Sequence, residues 1–392
     1  MISVSEALDH LFALAAPMPS EQVPLLQAAG RILTEDAVST RDQPPFAASA
    51  MDGYAVIGAQ AHPGARFTVI GEAAAGHRFN GVLSSGQAVR IFTGAPLPEG
   101  ADRVVIQEDV TRDGDQIVLG DQLDTGPHIR PAAGDFRIGS RLSAPRRLSP
   151  EDIALLASMN VPRVTVSRQP SVALISTGDE LVMPGEAPGP DQIIASNTFG
   201  LHALLRNLGA APRLLPVARD TVSSLSTTLD LAADADLIVT IGGASVGDHD
   251  LVAKVTAERG MERAFYKVAM RPGKPLMAGR LGRAMMLGLP GNPVSAMVCG
   301  HVFLAPVIRA MIGLPSRPAP RTSAPLAQAI AANGPREHYM RARLTHEGIA
   351  PFDAQDSSLL NVLSQANALL VRPPHDGPRE AGEMVEYIAL GS

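Results

Sequence analysis

Residues 234–250, DADLIVTIGGASVGDHD, run from an apolar stretch into a glycine-rich loop that ends in acids. Gly242 and Gly247 have the G-x-x-x-x-G spacing of a loop that cradles phosphate. Such loops normally continue with Lys and then Ser or Thr, to meet phosphate and magnesium. Here Asp248, His249 and Asp250 follow instead. The loop amides can still meet phosphate, while Asp248 or Asp250 replaces the lysine's charge indirectly, by holding a metal. His249 between them reads as an exposed loop residue rather than a ligand.

Three other apolar runs end in the same way. VALIS is followed by Thr177-Gly178-Asp179-Glu180, LLPVA by Arg219-Asp220, and AMMLG by Leu289-Pro290-Gly291-Asn292-Pro293. In an open α/β sheet, ligands bind beyond the carboxyl ends of the strands, where loop amides and helix N-termini converge. Asp, Gly, Asn and Ser are also ordinary turn and cap residues, which suffices for any one of these loops. Four of them in strand register, with carboxylates among them, favour a site. Crowded carboxylates repel, so a positive group belongs there. The single cysteine, Cys299, excludes a thiolate cluster, and the scattered histidines make no triad. Oxygen ligands beside glycine amides point to a hard cation, most simply Mg²⁺ carried with substrate phosphates.

The complementary signal is YKVAMRPGKPLMAG, residues 266–279. Of 33 basic side chains only Lys254, Lys267 and Lys274 are lysine, and two of them fall here. Arg271 and Lys274 flank Pro272-Gly273, with Pro275 next, so a stiff turn presents both cations. A stiff turn suits a small anion, because little ordering entropy is lost on binding; the plainer alternative is a solvated surface turn. In PPFAASAMDGYAV, residues 44–56, Asp52-Gly53 is expected in a loop, as a capped turn or a substrate contact, and spacing favours the turn. Thr93-Gly94, after the run QAVRIF, carries the same two readings. Cys299 reads as a small core residue.

Several elements must position these residues. Ser3-Val4-Ser5-Glu6 fits a capping box, with Val4, Ala7, Leu8, Leu11 and Phe12 on one helical face. A second helix opens at SPEDIALLASM, with Ser149 as N-cap and Pro150 at N1. Between them, RFTVI, QAVRIFTG, DRVVIQED and DQIVLG alternate between turns and read as a β-rich insertion. From about residue 169, SVALIS, RLLPVA, DLIVTI and AMMLGL alternate with helix-compatible stretches near 197–208, 221–233, 249–259 and 293–312. That rhythm implies a mostly parallel sheet covered on both faces. SRPAPRTSAP is a linker into a small β domain containing EHYMRARL and MVEYIAL.

The 392 residues predict two to four domains. A formal charge of −6 argues against bulk binding to nucleic acid. No apolar run reaches the roughly 18 residues of a membrane span. The first residues lack the basic region of a signal peptide. A soluble protein of the reducing cytoplasm is expected.

Taken in order, these stretches resemble the MoeA family of molybdopterin molybdenumtransferases, which includes the catalytic domain of gephyrin. The matching residues are Ser49-Ala50-Met51-Asp52-Gly53-Tyr54-Ala55, Thr93-Gly94-Ala95-Pro96 and Ser176-Thr177-Gly178-Asp179-Glu180. The pattern continues with Gly242-Gly243-Ala244-Ser245-Val246-Gly247, Arg271-Pro272-Gly273-Lys274-Pro275 and Leu289-Pro290-Gly291-Asn292-Pro293-Val294-Ser295. The likeness spans about residues 3 to 390.

The resemblance implies a multidomain α/β plus β fold. Its parts are a discontinuous helical domain (1–39 and 136–168), an inserted β-rich domain (40–135), a MogA-like, mostly parallel α/β domain for molybdopterin and nucleotide (169–315), and a C-terminal β-barrel (316–392). It further implies a homodimer whose active site is completed across the subunit interface. Adenylylated molybdopterin, molybdate and Mg²⁺ would yield molybdenum cofactor and AMP. Protein partners would be molybdopterin adenylyltransferase upstream and molybdoenzyme maturation proteins downstream.

By the family pattern Glu180, Asp220 and Asp250 lie near metal and pyrophosphate. Thr177, Gly178, Asp179, Gly242, Gly243, Ser245, Gly247, Asp248 and the Pro290-Gly291-Asn292-Pro293 turn bind substrate. Arg271, Lys274, Ser295, Arg341 and Ser357 or Ser358 cradle molybdate. Asp52, Thr93, Arg130 and Asp135 lie where the inserted domain faces the partner subunit's cleft. Two departures stand out: Arg271 where the family has Lys, and Ala133-Gly134-Asp135 where it has Gly-Glu-Asp. Guanidinium and ammonium are not equivalent anion ligands.

Two rival readings are a molybdopterin adenylyltransferase, which needs only the α/β domain, and a non-catalytic scaffold of the gephyrin type. The adenylyltransferase reading leaves residues 1–165 and 316–392 unused. The scaffold depends on an added N-terminal oligomerising domain, for which these residues leave no room, and it has no need of the acids.

Overall fold

The computed structural model describes residues 1–243 and 251–391. The chain divides into two compact units. One comprises Met1–Glu21, Gly30–Thr34 and Val166–Ser392, the other Gln22–Ala29 and Glu35–Thr165.

Helix α1 (Val4–Leu14) starts as its capping box dictates. The Ser3 hydroxyl accepts from the Glu6 amide, and the Glu6 carboxylate accepts from the Ser3 amide at 2.7 Å. Its buried face, Val4, Ala7, Leu8 and Leu11, joins the apolar core of the α/β sheet of its own unit.

The second unit is built on six strands: β1 (Gly53–Val56), β2 (Arg66–Ala73), β3 (Gln87–Ile91), β4 (Arg103–Ile106), β5 (Val110–Asp113) and β6 (Gln116–Leu119). Their order is β4-β1-β3-β2-β6-β5, antiparallel except where β2 meets β3. The stretch 44–56 is therefore not all loop. Residues 53–56 form a fully buried inner strand, and Ala48–Ser49 form a short strand ahead of the turn at Asp52. Burial of the Tyr54 ring and of Val56 in the sheet's apolar core accounts for the difference. Helix α2 (Pro150–Ser158) has the expected Ser149 cap with Pro150 in its first turn.

The α/β sheet of the first unit contains β7 (Ser171–Ser176), β8 (Ala211–Leu214), β9 (Leu237–Ile241) and β10 (Glu262–Tyr266). After the short β11 (Met270–Arg271), β12 (Met277–Leu281) and β13 (Ala284–Leu289) complete it. The order is β8-β7-β9-β13-β12-β10, parallel from β8 to β13 and antiparallel beyond. Helix α3 (Asn197–Asn207) buries Leu201 and Leu205 in the same core as α1. Helices α4 (Val222–Leu231) and α5 (Leu251–Glu258) bury Leu225, Leu229, Val252 and Val255 in a separate core. The chain leaves β7 for β8 and then returns to β9 on the other side of β7. Between the carboxyl ends of β7 and β9 the winding direction reverses, which opens a crevice.

Helix α6 (Pro293–Cys299), a π-helical turn (Gly300–Leu304) and α7 (Ala305–Met311) form one continuous rod. Contrary to the sequence expectation, these 19 residues are long and apolar enough to cross a membrane. Because 78% of the apolar window is buried inside the fold, the rod is a core helix.

The C-terminal strands are β14 (Thr322–Pro325), β15 (Glu337–Thr345), β16 (Gly348–Pro351), β17 (Ala368–Arg372) and β18 (Met384–Ala389). They pair in the order β11-β15-β17-β18-β14, with β16 on β15. A bridge from Leu326 to Ile349 links the β14 end back to β16.

Candidate functional site

The crevice between β7 and β9 is the mouth of a cavity of about 1140 Å³. Its floor is bare backbone. Gly242 and Gly243 follow β9 with φ of 92° and 65°, a left-handed region that side chains disfavour. A Cβ on Gly242 would stand 2.8 Å from the Thr177 carbonyl oxygen, and one on Gly243 would strike Val252 of α5. Across the floor, Gly291 lies beside Gly242. Only glycine lets these loops come together.

Backbone bonds fix the arrangement. The Thr177 amide donates to the Ile241 carbonyl, the Gly178 amide to Ala218 and the Gly242 amide to Leu289. Asn197 at the start of α3 donates its side-chain amide to the Gly291 carbonyl at 2.6 Å.

On this scaffold the structure brings Thr177, Gly178, Glu180 and Asp220 into one lining. Gly242, Gly243, Gly291, Asn292, Pro293 and Ser358 complete the sequence-predicted part of it. The Glu180 carboxylate folds back over Gly178, where any Cβ would collide with it. Among the described residues, neither Glu180 nor Asp220 has an ion-pair partner, and no three His, Cys, Asp or Glu side chains cluster as a metal cage. Among the described residues, the buried Thr177 hydroxyl has no hydrogen-bond partner. Asp179 does not join the lining; its carboxylate accepts from the Asp220 amide at 3.2 Å. Ser245, Gly247, Asp248 and Asp250 lie outside the described residues.

Of the proposed oxyanion residues, Ser358 is in this lining, whereas Arg271, Lys274, Ser295, Arg341 and Ser357 are not. Ser357 is the link: its hydroxyl accepts from the Asn292 side chain at 2.9 Å, and its carbonyl from the Val294 amide. One residue back, the Asp356 carboxylate accepts from the amide and hydroxyl of Ser358, which with nearby Arg341 hold it below the usual carboxylate range.

Arg341, on β15, is fully buried. Its Nη2 donates to the carbonyls of Ala354 and Asp356 at 3.0 and 3.1 Å, whereas Nε and Nη1 have no partner. Burial, with Arg271 adding repulsion, disfavours its charge, while Asp356 supports it. Arg271 is exposed at the end of β11, paired in parallel with His338 of β15. The turn that follows is held by the Lys274 carbonyl, which accepts from the Val268 and Leu276 amides, and by Gly273 packed on the Cys299 sulfur. Ser295 and Pro290 are buried beside the lining.

In the other unit, Asp52 is a capped turn. Its carboxylate accepts from the Thr93 amide at 2.7 Å and hydroxyl at 2.8 Å, bonds that hold it below the usual range. Arg130 lies in a two-residue strand against Ala48–Ser49, and Asp135 donates its amide to the Gln43 carbonyl; both are exposed.

The sequence reading missed Lys254 and Asn197 as lining residues. Lys254 left a signal, as one of three lysines, placed a helical turn after Asp250. Asn197 left none, because its bond to Gly291 spans 94 residues.

Family profiles match the chain in three successive stretches. The profile of the MoeA N-terminal region (domain I and II) matches residues 2–160, that of the "Probable molybdopterin binding domain" residues 173–310, and that of the MoeA C-terminal region (domain IV) residues 323–390. A molybdopterin molybdenumtransferase from Nostoc sp. is 36% identical over 394 residues, spanning 95% of this chain and 90% of its own. Molybdopterin molybdenumtransferase 2 from Mycobacterium tuberculosis is 36% identical over 367 residues, 90% of each chain. Two crystal structures of a molybdopterin biosynthesis MoeA protein from Pyrococcus horikoshii superpose over 100% of both chains, with TM-scores of 0.84 and 0.82 at 29% and 26% identity. Matches that run the length of the chain include the parts an adenylyltransferase leaves unused, and the chain belongs to the MoeA family of molybdopterin molybdenumtransferases, enzymes of molybdenum cofactor biosynthesis.

Proposed function

We propose that this chain inserts molybdenum into adenylylated molybdopterin, taking molybdate in the presence of Mg²⁺ and releasing AMP and molybdenum cofactor. The observation that carries the reading is one cavity in which bare glycine backbone meets a Thr177 hydroxyl and two carboxylates that, among the described residues, have no hydrogen-bond and no ion-pair partner respectively. Magnesium binds through one or two carboxylates plus substrate phosphates, and that donor set fits Glu180 and Asp220, with Asp250 as the third assigned ligand. Bound there, the ion supplies charge neutralisation at the pyrophosphate link.

The chain's own groups do the rest. The Gly242-Gly243 floor admits the phosphates at close range, and Thr177 offers a hydroxyl. Asn292 and Ser358 orient the end nearer Arg341. Arg341, Arg271, Lys274 and Ser295 hold molybdate as a substrate, and the orphaned Nε and Nη1 of Arg341 supply two donors for its oxygens. The reading extends to a cytoplasmic homodimer, to Asp52, Thr93, Arg130 and Asp135 serving the partner subunit's cleft, and to a C-terminal sheet acting as a barrel.

AMP release from adenylylated molybdopterin, with and without Mg²⁺ and molybdate, tests the proposal. Asp220→Ala and Asp250→Ala should block release, whereas Lys274→Ala should chiefly raise the molybdate concentration required. Wild-type rates in Asp220→Ala and Asp250→Ala would sink the metal assignment.

A further inference from the structure

In the second unit, the corner where Asp52 meets Thr93 is built around a side chain to which the proposed reaction gives no task. Arg90 stands on β3 opposite Tyr54 of β1. Its Nη1 donates to the Gly53 carbonyl at 3.1 Å and its Nη2 to the Gln107 side chain at 2.6 Å. Gln107 in turn donates its backbone amide to the Asp52 carbonyl at 3.1 Å. The guanidinium carbon lies 5.1 Å from the centre of the Tyr54 ring and 4.7 Å from that of Phe92, within cation–π range of both. Each of these partners is either close in the chain to Asp52 or Thr93 or hydrogen-bonded to Asp52.

The partners are also neutral. Elsewhere in the chain Arg31, Arg168 and Arg213 each close on a carboxylate. Among the described residues Arg90 closes on none, although Glu72 of β2 stands beside it in register and Glu108 adjoins Gln107. Its charge is therefore not cancelled by a contact partner. It acts on Asp52, where it adds to the two Thr93 bonds in keeping the carboxylate ionised. Both of those bonds fall on one oxygen, Oδ1. Among the described residues Oδ2 has no hydrogen-bond partner. A planar fork gripping two points at fixed spacing does here what a single ammonium cannot.

Building on the proposed function, which gives Asp52 and Thr93 to the partner subunit's cleft, we infer that Arg90 is a positioning residue for molybdenum insertion. It clamps the two loops so that Thr93 holds Oδ1 of Asp52 while Oδ2 stays free to act, and it touches no reacting atom itself.

A double-mutant cycle on AMP release from adenylylated molybdopterin tests this. Arg90→Met should lower kcat by about tenfold or more and leave KM within about twofold of wild type. In the Asp52→Ala background the same change should cost less than about twofold more. A repeat of the full loss there shows Arg90 acting apart from Asp52 and overturns the inference, as does a wild-type kcat in Arg90→Met. Should Arg90→Met fail to fold, Arg90→Lys takes its place in the cycle under the same criteria.

The pH profile of kcat/KM gives a second readout, which a purely structural tie would not move. Arg90→Met should shift the acid limb to higher pH, because Asp52 loses a nearby cation. Arg90→Lys keeps the charge but cannot reach Gly53 and Gln107 together, so it should leave the limb in place while kcat falls. An unmoved limb in Arg90→Met overturns the inference. Wild-type AMP release by Asp52→Ala alone removes the corner from the reaction; it overturns that part of the proposed function, and the positioning role with it.

Discussion

Two arginines of the C-terminal sheet, both almost without solvent contact, are treated in opposite ways. Every guanidinium nitrogen of Arg372 has a partner: Nε donates to Asp376 at 2.5 Å, Nη1 to the Ala331 carbonyl at 3.1 Å and Nη2 to the Gly377 carbonyl at 2.6 Å. Arg341 uses only Nη2. Burying a guanidinium is costly unless its hydrogens are met. Arg372 is complete as a tie within the sheet, whereas among the described residues Arg341 leaves Nε and Nη1 unmet, the two donors assigned to molybdate in the proposed function. The same side chain, almost equally buried, is met by the fold in one place and left partly unmet in the other.

Substitution should separate the two most widely. Arg372→Met should destabilise the fold by about 1–3 kcal/mol, because the Ala331 and Gly377 carbonyls lose their donor and half-buried Asp376 keeps only Arg379. Arg341→Met should retain most stability in urea denaturation yet slow molybdate-dependent turnover by about a hundredfold or more. Equal stability losses would erase the distinction.

A pH titration of stability sharpens it next. His338 lies opposite Arg372 in the sheet, and burial together with Arg271, Arg341, Arg372 and Arg336 lowers its pKa to about 4. Burial does the same to His301 on the core helix, also to about 4. Between the ordinary histidine value of 6.5 and about 4, the unfolded chain takes up protons that the folded one refuses. Stability is therefore full above that window and falls as pH drops through it, by on the order of 3 kcal/mol per histidine. His338→Gln should flatten half of this slope in melting curves.

Oxyanion addition should come third. At about a hundred times its Kd, molybdate should stabilise the wild type by about 2.7 kcal/mol, and dialysis should reverse the gain. Arg341→Met should show no such shift. The smallest effect concerns the support of the cationic turn. Burial pushes the Cys299 thiol well above its usual range, so a thiol reagent should react only at the rate of unfolding.

Local signals carried much of this into the sequence. The Ser3 and Ser149 caps, the four apolar runs of the α/β sheet and the acids and glycines after them depend on neighbours a few residues away, so their spacing shows them. What the sequence hid depends on distant chain. Gly53–Val56 becomes an inner strand because β3 and β4 flank it, and a loop reading had no access to that. The rod 293–311 exceeds a membrane span because a π turn lets the helix continue past Gly300. Arg341 could be named from family resemblance, yet its unmet hydrogens appear only once β15 is packed. Lys254 faces the cavity through the helical phase set by Val252 and Val255.

The rod itself carries one further consequence. Its first residue, Pro293, borders the cavity, and Cys299, less than two turns along, props the loop that carries Arg271 and Lys274. On the proposed function, a single helix thus acts as a ruler between the place for a phosphate-bearing substrate and the place for a small inorganic one. The gap between two reacting partners is then written in helical rise and needs no mobile flap to set it.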